Sequence, residues 1–479
     1  MSNDKIQTAP SVAYSNTVRL EAPAGGAGIT ALTQTVEQAG GTVTALDVSS
    51  SAHDRIQVDV TIGARDTAHT QKIIAALRQV NGVKVGRGSD RTFLMHLGGK
   101  IEVTSKHPIR NRDDLSLLYT PGVARVCMAI AENPEDARRL TSKRNTIAVV
   151  TDGTAVLGLG DIGPQAAMPV MEGKAALFKR FGEIDAWPLC LDTTDVDQIV
   201  ATVKAVAPGF AGINLEDISA PRCFEIEERL RDELDIPVFH DDQHGTAIVV
   251  LAALINALRV VEKDLSKVRV VMSGAGAAGT AILKVLINAG LKNVVVADIE
   301  GVIHSGRENL SPSLQWIAEN TNSEGITGTL HDAMTGADVF IGVSAPRVIG
   351  AEHVKAMNDR AIVFALANPD PEIMPDLASE YAEVVATGRS DFPNQIHNVL
   401  AFPGVFRGLL DSQSSAISMD LLIAAATAIA DVVTDDERNA TYIIPPVFHP
   451  EVHTKVAEAV AHASGGVVTN DPADAMPKF

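Results

Sequence analysis

The sequence predicts an α/β protein: a doubly wound parallel sheet joined to a second α/β domain and preceded by a small α+β unit. Three observations carry this. Apolar strands alternate with helical stretches over most of the chain, the pattern of a parallel sheet covered on both faces. One of these strands, Val268–Met272, runs directly into Gly274-Ala275-Gly276-Ala277-Ala278-Gly279. Aromatic residues make up only 4% of a sequence that is 46% hydrophobic, so the core must be built from Ala, Val, Ile and Leu. That composition suits helices packed on buried strands.

A length of 479 residues suggests about three domains. Acidic residues outnumber basic ones by 59 to 40, a net charge of −19, and no basic cluster is strong enough to hold a nucleic-acid backbone. A few cations in a cleft can still receive a small anionic substrate. Cys127, Cys190 and Cys223 match no disulfide framework and no metal-knuckle spacing. The N-terminal MSNDKIQTAP lacks the basic and apolar regions of a signal peptide. The longest apolar stretches, Ala247–Ile255 and Leu421–Ala430, are about half of a membrane span. The expectation is a soluble cytoplasmic protein with no membrane or nucleic-acid partner.

Residues 1–95 read as one small unit. Thr17–Glu21 predicts a strand, the Gly-rich turn Gly25-Gly26-Ala27-Gly28 leads into a helix over Ile29–Gln38, and Gly40-Gly41 stops it. Thr42–Val48 and Ile56–Ile62 alternate and predict half-buried strands. Thr70–Val80 has helical spacing, with Ile73, Ile74, Leu77 and Val80 on one face, and Asn81-Gly82 turns into Val83–Arg87. The order βαββαβ is the split ferredoxin-like pattern. The Gly-rich turn either binds a small effector or simply starts a helix.

Residues 96–243 form a second region. A polar connector ends in Lys106, His107, Arg110 and Arg112, read either as a solvated face or as the border of an anion-binding cleft. Strands are expected at Thr146–Val150, Ala186–Leu191 and Pro237–Phe239. Two acidic pairs sit in loops: Glu216-Asp217, and Asp241-Asp242 directly after a strand. Loops at the carboxyl ends of strands are where α/β folds place ligands. Carboxylates gathered in one cleft need a cation, and all-oxygen ligation suits Mg²⁺ or Mn²⁺. The residues alone leave solvated loops, or zinc on His240 and His244, as alternatives. Met171-Glu172-Gly173-Lys174 opens a helical run over Ala175–Phe181. Lys174 is either an ordinary exposed lysine or a buried one whose lowered pKa lets it act as a base. Tyr119-Thr120-Pro121-Gly122 is a turn bearing one of four tyrosines.

Residues 244–415 form the dinucleotide domain, of the Rossmann type, opened by a long apolar helix over Gly245–Val261. Gly274 permits the tight turn, Gly276 lets the backbone approach a pyrophosphate, and Gly279 allows close helix–strand packing. The helix Thr280–Asn288 then presents its positive end to the phosphates. Asp298 ends the next strand, Asn293–Ala297, 19 residues after Gly279, where a carboxylate bonds the ribose hydroxyls. Asp298 repels a 2′-phosphate and Ile299, Glu300 and Gly301 offer no cation, so NAD is favoured over NADP, with Arg307 or Lys292 as the cations that can reach the pocket. Further strands are expected at Val339–Val343, Ala361–Leu366 and Glu383–Thr387. Residues 416–479 supply helices, Ser418–Val433 and His453–Ala463, that pack back on the core.

Several runs occur together in order: Leu118-Tyr119-Thr120-Pro121-Gly122-Val123-Ala124, Thr151-Asp152-Gly153-Thr154, Gly158-Leu159-Gly160-Asp161-Ile162-Gly163-Pro164, Met171-Glu172-Gly173-Lys174, Asn214-Leu215-Glu216-Asp217-Ile218 and His240-Asp241-Asp242-Gln243-His244-Gly245-Thr246. With Ala367-Asn368-Pro369 and His397-Asn398-Val399-Leu400-Ala401-Phe402-Pro403-Gly404, they resemble bacterial malic enzymes over roughly residues 98–465. The resemblance implies oxidative decarboxylation of (S)-malate to pyruvate and CO₂, with reduction of NAD(P)⁺, a divalent cation and a homo-oligomer of at least two copies. Carried over, Glu216, Asp217 and Asp242 match the metal ligands. Lys174 matches the base for the C2 hydroxyl, with Asp241 beside it, and Tyr119 matches the acid that protonates C3. Asn368 and Asn398 match residues that bind the substrate carboxylate and place the nicotinamide. Arg125-Val126, Arg222 and residues 411–418 depart from the pattern. Residues 1–95 resemble an ACT domain, which implies a small effector bound between paired copies. A malolactic-type enzyme releasing lactate and a non-catalytic metabolite sensor are the competing readings.

Overall fold

The computed structural model describes residues 10–465 apart from positions 25, 53 and 157, so Gly25 of the Gly-rich turn lies outside the described residues. The chain divides into two compact units, Met1–Val103 and Thr104–Phe479.

In the first unit, β1 (Ser11–Pro23), α1 (Gly26–Gln38), β2 (Thr42–Ser51), β3 (Arg55–Ala64), α2 (Thr67–Arg78) and β4 (Lys84–Asp90) follow one another as βαββαβ. They form a sheet of order β2-β3-β1-β4 in which every pairing is antiparallel. Alternation fixes the inward face of β3: Ile56, Val58, Val60 and Ile62 are buried against Leu20, Ile73 and Leu77. Asp66 caps α2 by accepting from the His69 N–H at 2.7 Å. β2 departs from the half-buried strand its alternation predicts. It is an edge strand with no fully buried residue, and register shifts at Val43/Ala45 and Val48/Ser50 break the alternation of its faces.

The second unit contains two sheets, one parallel and one parallel except at one edge. β5 (Thr146–Thr151), β6 (Asp185–Cys190), β7 (Gly212–Leu215) and β8 (Val238–His240) lie in the order β6-β5-β7-β8. Helix α3 (Pro164–Gly182) is longer than the run Ala175–Phe181 suggested, because Pro164 starts it in a first-turn position where a missing N–H costs nothing. β9 (Arg269–Ser273), β10 (Asn293–Asp298), β11 (Gly301–Val302), β12 (Val339–Gly342), β13 (Ala361–Ala365) and β14 (Ala382–Thr387) lie in the order β11-β10-β9-β12-β13-β14. All pairings there are parallel except β10 with β11. The strand order reverses between β9 and β12, the topological switch point at which α/β sheets open a crevice.

One hydrophobic core joins the helices between these sheets. The helical stretch Asp241–Val261 is long and apolar enough to cross a membrane, longer than its apolar core Ala247–Ile255 implies. Most of it is buried among core residues, which is what an all-round apolar helix does inside a large domain. The C-terminal helices Phe402–Asp411, Met419–Ala430 and Val452–Ala463 close over it. Phe402 and Phe406 meet Phe178 of α3 edge-on, with ring centroids 4.6 and 5.3 Å apart.

Candidate functional site

On the inward face of α3, Ala167, Met171, Lys174, Ala175 and Phe178 recur at helical spacing and are buried. The stripe that packs the helix therefore carries Lys174 into the interior, where its side chain is 7% exposed. Its Nζ lies 2.5 Å from Asp241 Oδ2, 2.8 Å from Glu216 Oε1, and 4.1 Å above the ring centre of Phe402. Asn398, opening the short turn Asn398–Leu400, donates its amide to the same Asp241 oxygen. Asn214 donates to Glu216 Oε2 at 2.9 Å.

Burial works against the Lys174 charge, but Asp241 and Glu216 outweigh it and hold the ammonium above its ordinary range. The lowered lysine pKa expected from burial alone is thus reversed, because burial brings two carboxylates with it. Burial pushes the Glu216 carboxyl well up; Lys174 opposes this, while Asp242, Asp241 and Asp217 add to it. Asp241, fully buried, is raised mainly by burial, again against Lys174.

Local backbone geometry gathers the acids. Asp217 follows β7 with φ +52°, a left-handed conformation uncommon outside glycine. Its N–H donates to Asp242 Oδ2 at 2.8 Å and its carbonyl accepts from Ala155 at 3.0 Å. After β8, Asp241–Gly245 makes one π-helical turn, a wide turn common at functional sites. A Cβ on Gly245 would lie 2.0 Å from Asp241 Oδ1, so only glycine fits there. Glu216, Asp217 and Asp242 each offer an oxygen, all within 4.8 Å of one another. This donor set, hard and negative beside one ammonium, fits Mg²⁺ or Mn²⁺. Among the described residues no histidine joins this group: His240 Nδ1 stands 3.9 Å from Asp242 Oδ2, and His244 is taken up by Glu227 at 2.7 Å, so the paired-histidine zinc site of the alternative reading is not assembled.

At the switch point, a cavity of about 610 Å³ is lined by Gly274, Gly276, Asp298, Ser344 and their neighbours. Gly274 adopts φ +108°. A Cβ on Gly279 would lie 2.1 Å from the Gly274 carbonyl oxygen, which is the close packing the glycine spacing predicts. Asp298 Oδ1 accepts from Arg307 at 2.9 Å. Buried Glu372 accepts from the Ser344 and Ala367 N–H groups at 2.8 and 3.0 Å, tying together the loops that follow β12 and β13.

The structure therefore brings Lys174, Glu216, Asp217, Asp241, Asp242 and Asn398 into one cluster, and Gly274, Gly276 and Asp298 to one crevice, with Gly279 buried behind Gly274. Asn368 is exposed in the loop after β13, its carbonyl oxygen against Gly158 and its amide against Gly388. Tyr119 stands apart: it ends the helix Arg112–Leu118, 66% exposed, with no hydrogen bond to the cluster among the described residues. Lys106, His107, Arg110 and Arg112 are all exposed. Arg222 reaches Asp152 at 2.8 Å, Thr154 at 3.0 Å and Ser219 at 3.0 Å, bracing the loops around Glu216 and Asp217. Asn214, Phe402 and Glu372 were not singled out from the residues. The first two lie inside the ordered runs, whereas Glu372 carries no local signal.

Two family descriptions match the chain: "Malic enzyme, N-terminal domain" over residues 98–231 and "Malic enzyme, NAD binding domain" over residues 243–464. The chain is 58% identical over 429 residues to the NAD-dependent malic enzyme of Geobacillus stearothermophilus, covering 90% of each. It is 46% identical over 397 residues to the NADP-dependent malic enzyme of Escherichia coli, covering 78% of this chain and 52% of that one. The solved structure of the Thermotoga maritima NAD-dependent malic enzyme is 49% identical with a TM-score of 0.75, covering 78% of this chain and 99% of that one.

Proposed function

The chain belongs to the malic enzyme family, and we propose that it catalyses the oxidative decarboxylation of (S)-malate to pyruvate and CO₂ with reduction of NAD(P)⁺. The observation that carries this is Lys174 buried within 2.8 Å of Glu216 and 2.5 Å of Asp241, beside the three-carboxylate cluster. Glu216, Asp217 and Asp242 would hold the divalent cation and the switch-point crevice the dinucleotide; when bound, these supply charge stabilisation at the substrate oxygens and a hydride acceptor.

The side chains do the rest. Lys174, hydrogen-bonded to Asp241 at 2.5 Å, is placed to relay the C2 hydroxyl proton, passing its own to the Asp241 carboxylate as it accepts the substrate's. Asn398 holds the same Asp241 oxygen that Lys174 contacts, and Asn368 with Asn398 receives the substrate carboxylate. Tyr119 returns one proton to C3 after CO₂ leaves. The hydroxyl proton lost is thus balanced by the methyl proton gained, and the hydride leaves with the dinucleotide.

Tyr119 reaches this chemistry through assembly. Helices Arg112–Leu118 and Val123–Glu132 have no buried residue, yet expose Leu115, Leu117 and Met128. An apolar surface of that kind supports a homo-oligomer in which it is covered by a second copy. The first unit, with its βαββαβ order, supports the reading of a ferredoxin-like ACT domain that binds a small effector. Three free cysteines support a reducing, cytoplasmic setting.

The test is a malate assay with NAD⁺ and NADP⁺ in parallel, with and without chelator, following reduced dinucleotide, pyruvate and lactate. Chelator-sensitive NAD(P)H and pyruvate in equal amounts are expected. Lactate without NAD(P)H would establish the malolactic alternative, and no turnover the sensor.

A further inference from the structure

We infer that Glu300 sets the coenzyme preference by restraining Arg307, holding outside the crevice the cation that a 2′-phosphate would need. This rests on the reading of Asp298 as the ribose-binding carboxylate.

Among the described residues that line the crevice there is no lysine and no arginine; the acidic ones are Asp298 and Glu300. Arg307 lies behind them on the loop that follows β11. Its Nη1 donates to Asp298 Oδ1 at 2.9 Å and its Nη2 to Glu300 Oε2 at 2.7 Å. Asp298 Oδ1 also accepts from the Glu300 N–H at 2.9 Å, which leaves Oδ2 outside this network and available to a ribose hydroxyl. The Arg307 side chain is 13% exposed and that of Glu300 74% exposed. The cation is therefore tucked in, and the acid that holds it stands at the solvent edge.

The charge balance gives the direction. One guanidinium between two carboxylates leaves a patch of net −1. A 2′-phosphate brings roughly two further negative charges at neutral pH, whereas the NAD hydroxyl brings none. A guanidinium freed of one carboxylate can instead pair a phosphate through two parallel N–H donors. Removing Glu300 both neutralises the patch and releases Nη2, while Asp298 still orients Nη1. Glu300 thus stabilises the NAD-selective arrangement without belonging to the chemistry.

The experiment compares kcat/KM for NADP⁺ and NAD⁺ in the full-length enzyme with malate and Mn²⁺. Glu300→Ala is expected to raise the NADP⁺/NAD⁺ ratio about tenfold, the worth of one charge-assisted hydrogen bond. Adding Arg307→Met to that variant is expected to abolish the gain. An unmoved ratio in Glu300→Ala, or a gain that survives in the double variant, overturns the inference. Asp298→Ala, followed by NADH fluorescence titration without turnover, separates the two layers. Unchanged NADH binding there removes the ribose reading and this inference with it. Weakened binding combined with an unmoved Glu300→Ala ratio removes only the restraint.

Discussion

Lys174 has two separable duties, and substitution divides them. It is the counter-charge for Glu216 and Asp241, both almost fully buried, and it is the proposed base. In Lys174→Ala two carboxylates lose their cation in a site that excludes water. Breaking a buried pair this way costs about 3–5 kcal/mol, against a total stability of about 5–15 kcal/mol. The variant should therefore fold but unfold at a clearly lower denaturant concentration, and turn over about 10²–10⁴-fold more slowly. Lys174→Arg keeps the positive charge and the face over Phe402, but a guanidinium cannot surrender its proton. It should recover most of the lost stability and none of the turnover. Urea unfolding monitored by circular dichroism, alongside steady-state rates with saturating malate, reads both quantities. Turnover near that of the parent enzyme in Lys174→Arg would refute the base assignment. Unchanged stability in Lys174→Ala would refute the counter-charge reasoning.

Glu216→Gln should weaken Mn²⁺ binding by at least roughly tenfold, measured by calorimetry, while NADH binding at the separate crevice is retained. Gly279→Ala places a Cβ 2.1 Å from the Gly274 carbonyl oxygen; the shifted loop should weaken NADH binding by about 1–3 kcal/mol, tenfold or more by fluorescence titration. Asp338 ties the start of β9 to the start of β12 by accepting from the Arg269 N–H at 2.8 Å and from Lys263 at 2.9 Å. Burial alone pushes this carboxyl up, but the Arg269 N–H, Lys263 and Asn358 hold it below the usual carboxylate range. Its stabilisation is therefore fully present above the ordinary carboxylate pKa and is lost as pH falls through the depressed one. Asp338→Ala should lower stability by about 1–3 kcal/mol near neutral pH, and the gap to the parent protein should close in acid unfolding curves.

The glycine turn and the crevice it borders are legible in the sequence because their information is local. Gly274, Gly276 and Gly279 act within one turn between one strand and one helix, and Asp298 ends the adjoining strand. The element order of the first unit was legible for the same reason, since alternation and helical spacing are properties of single segments. β2 is found as a strand, but how little of it is buried follows from edge position and register shifts, which belong to pairing and are not encoded in a single strand. The three acids were named through the ordered runs, yet nothing in their own spacing distinguished a metal site from solvated loops. Only the left-handed bend at Asp217 and the π turn at Asp241–Gly245 bring their oxygens within one radius.

By itself the sequence determined which segments become strands and helices, where the tight glycine turn between β9 and its helix falls, and which side chains are chemically able to serve. The tertiary structure alone decided charge state and company. Whether Lys174 is lowered by burial or raised by two carboxylates, and whether Arg307 faces a ligand or is held by Glu300, depends on groups up to 67 residues apart in the chain. Electrostatic energy follows distance through space and the local exclusion of water, and neither is a property of any one segment.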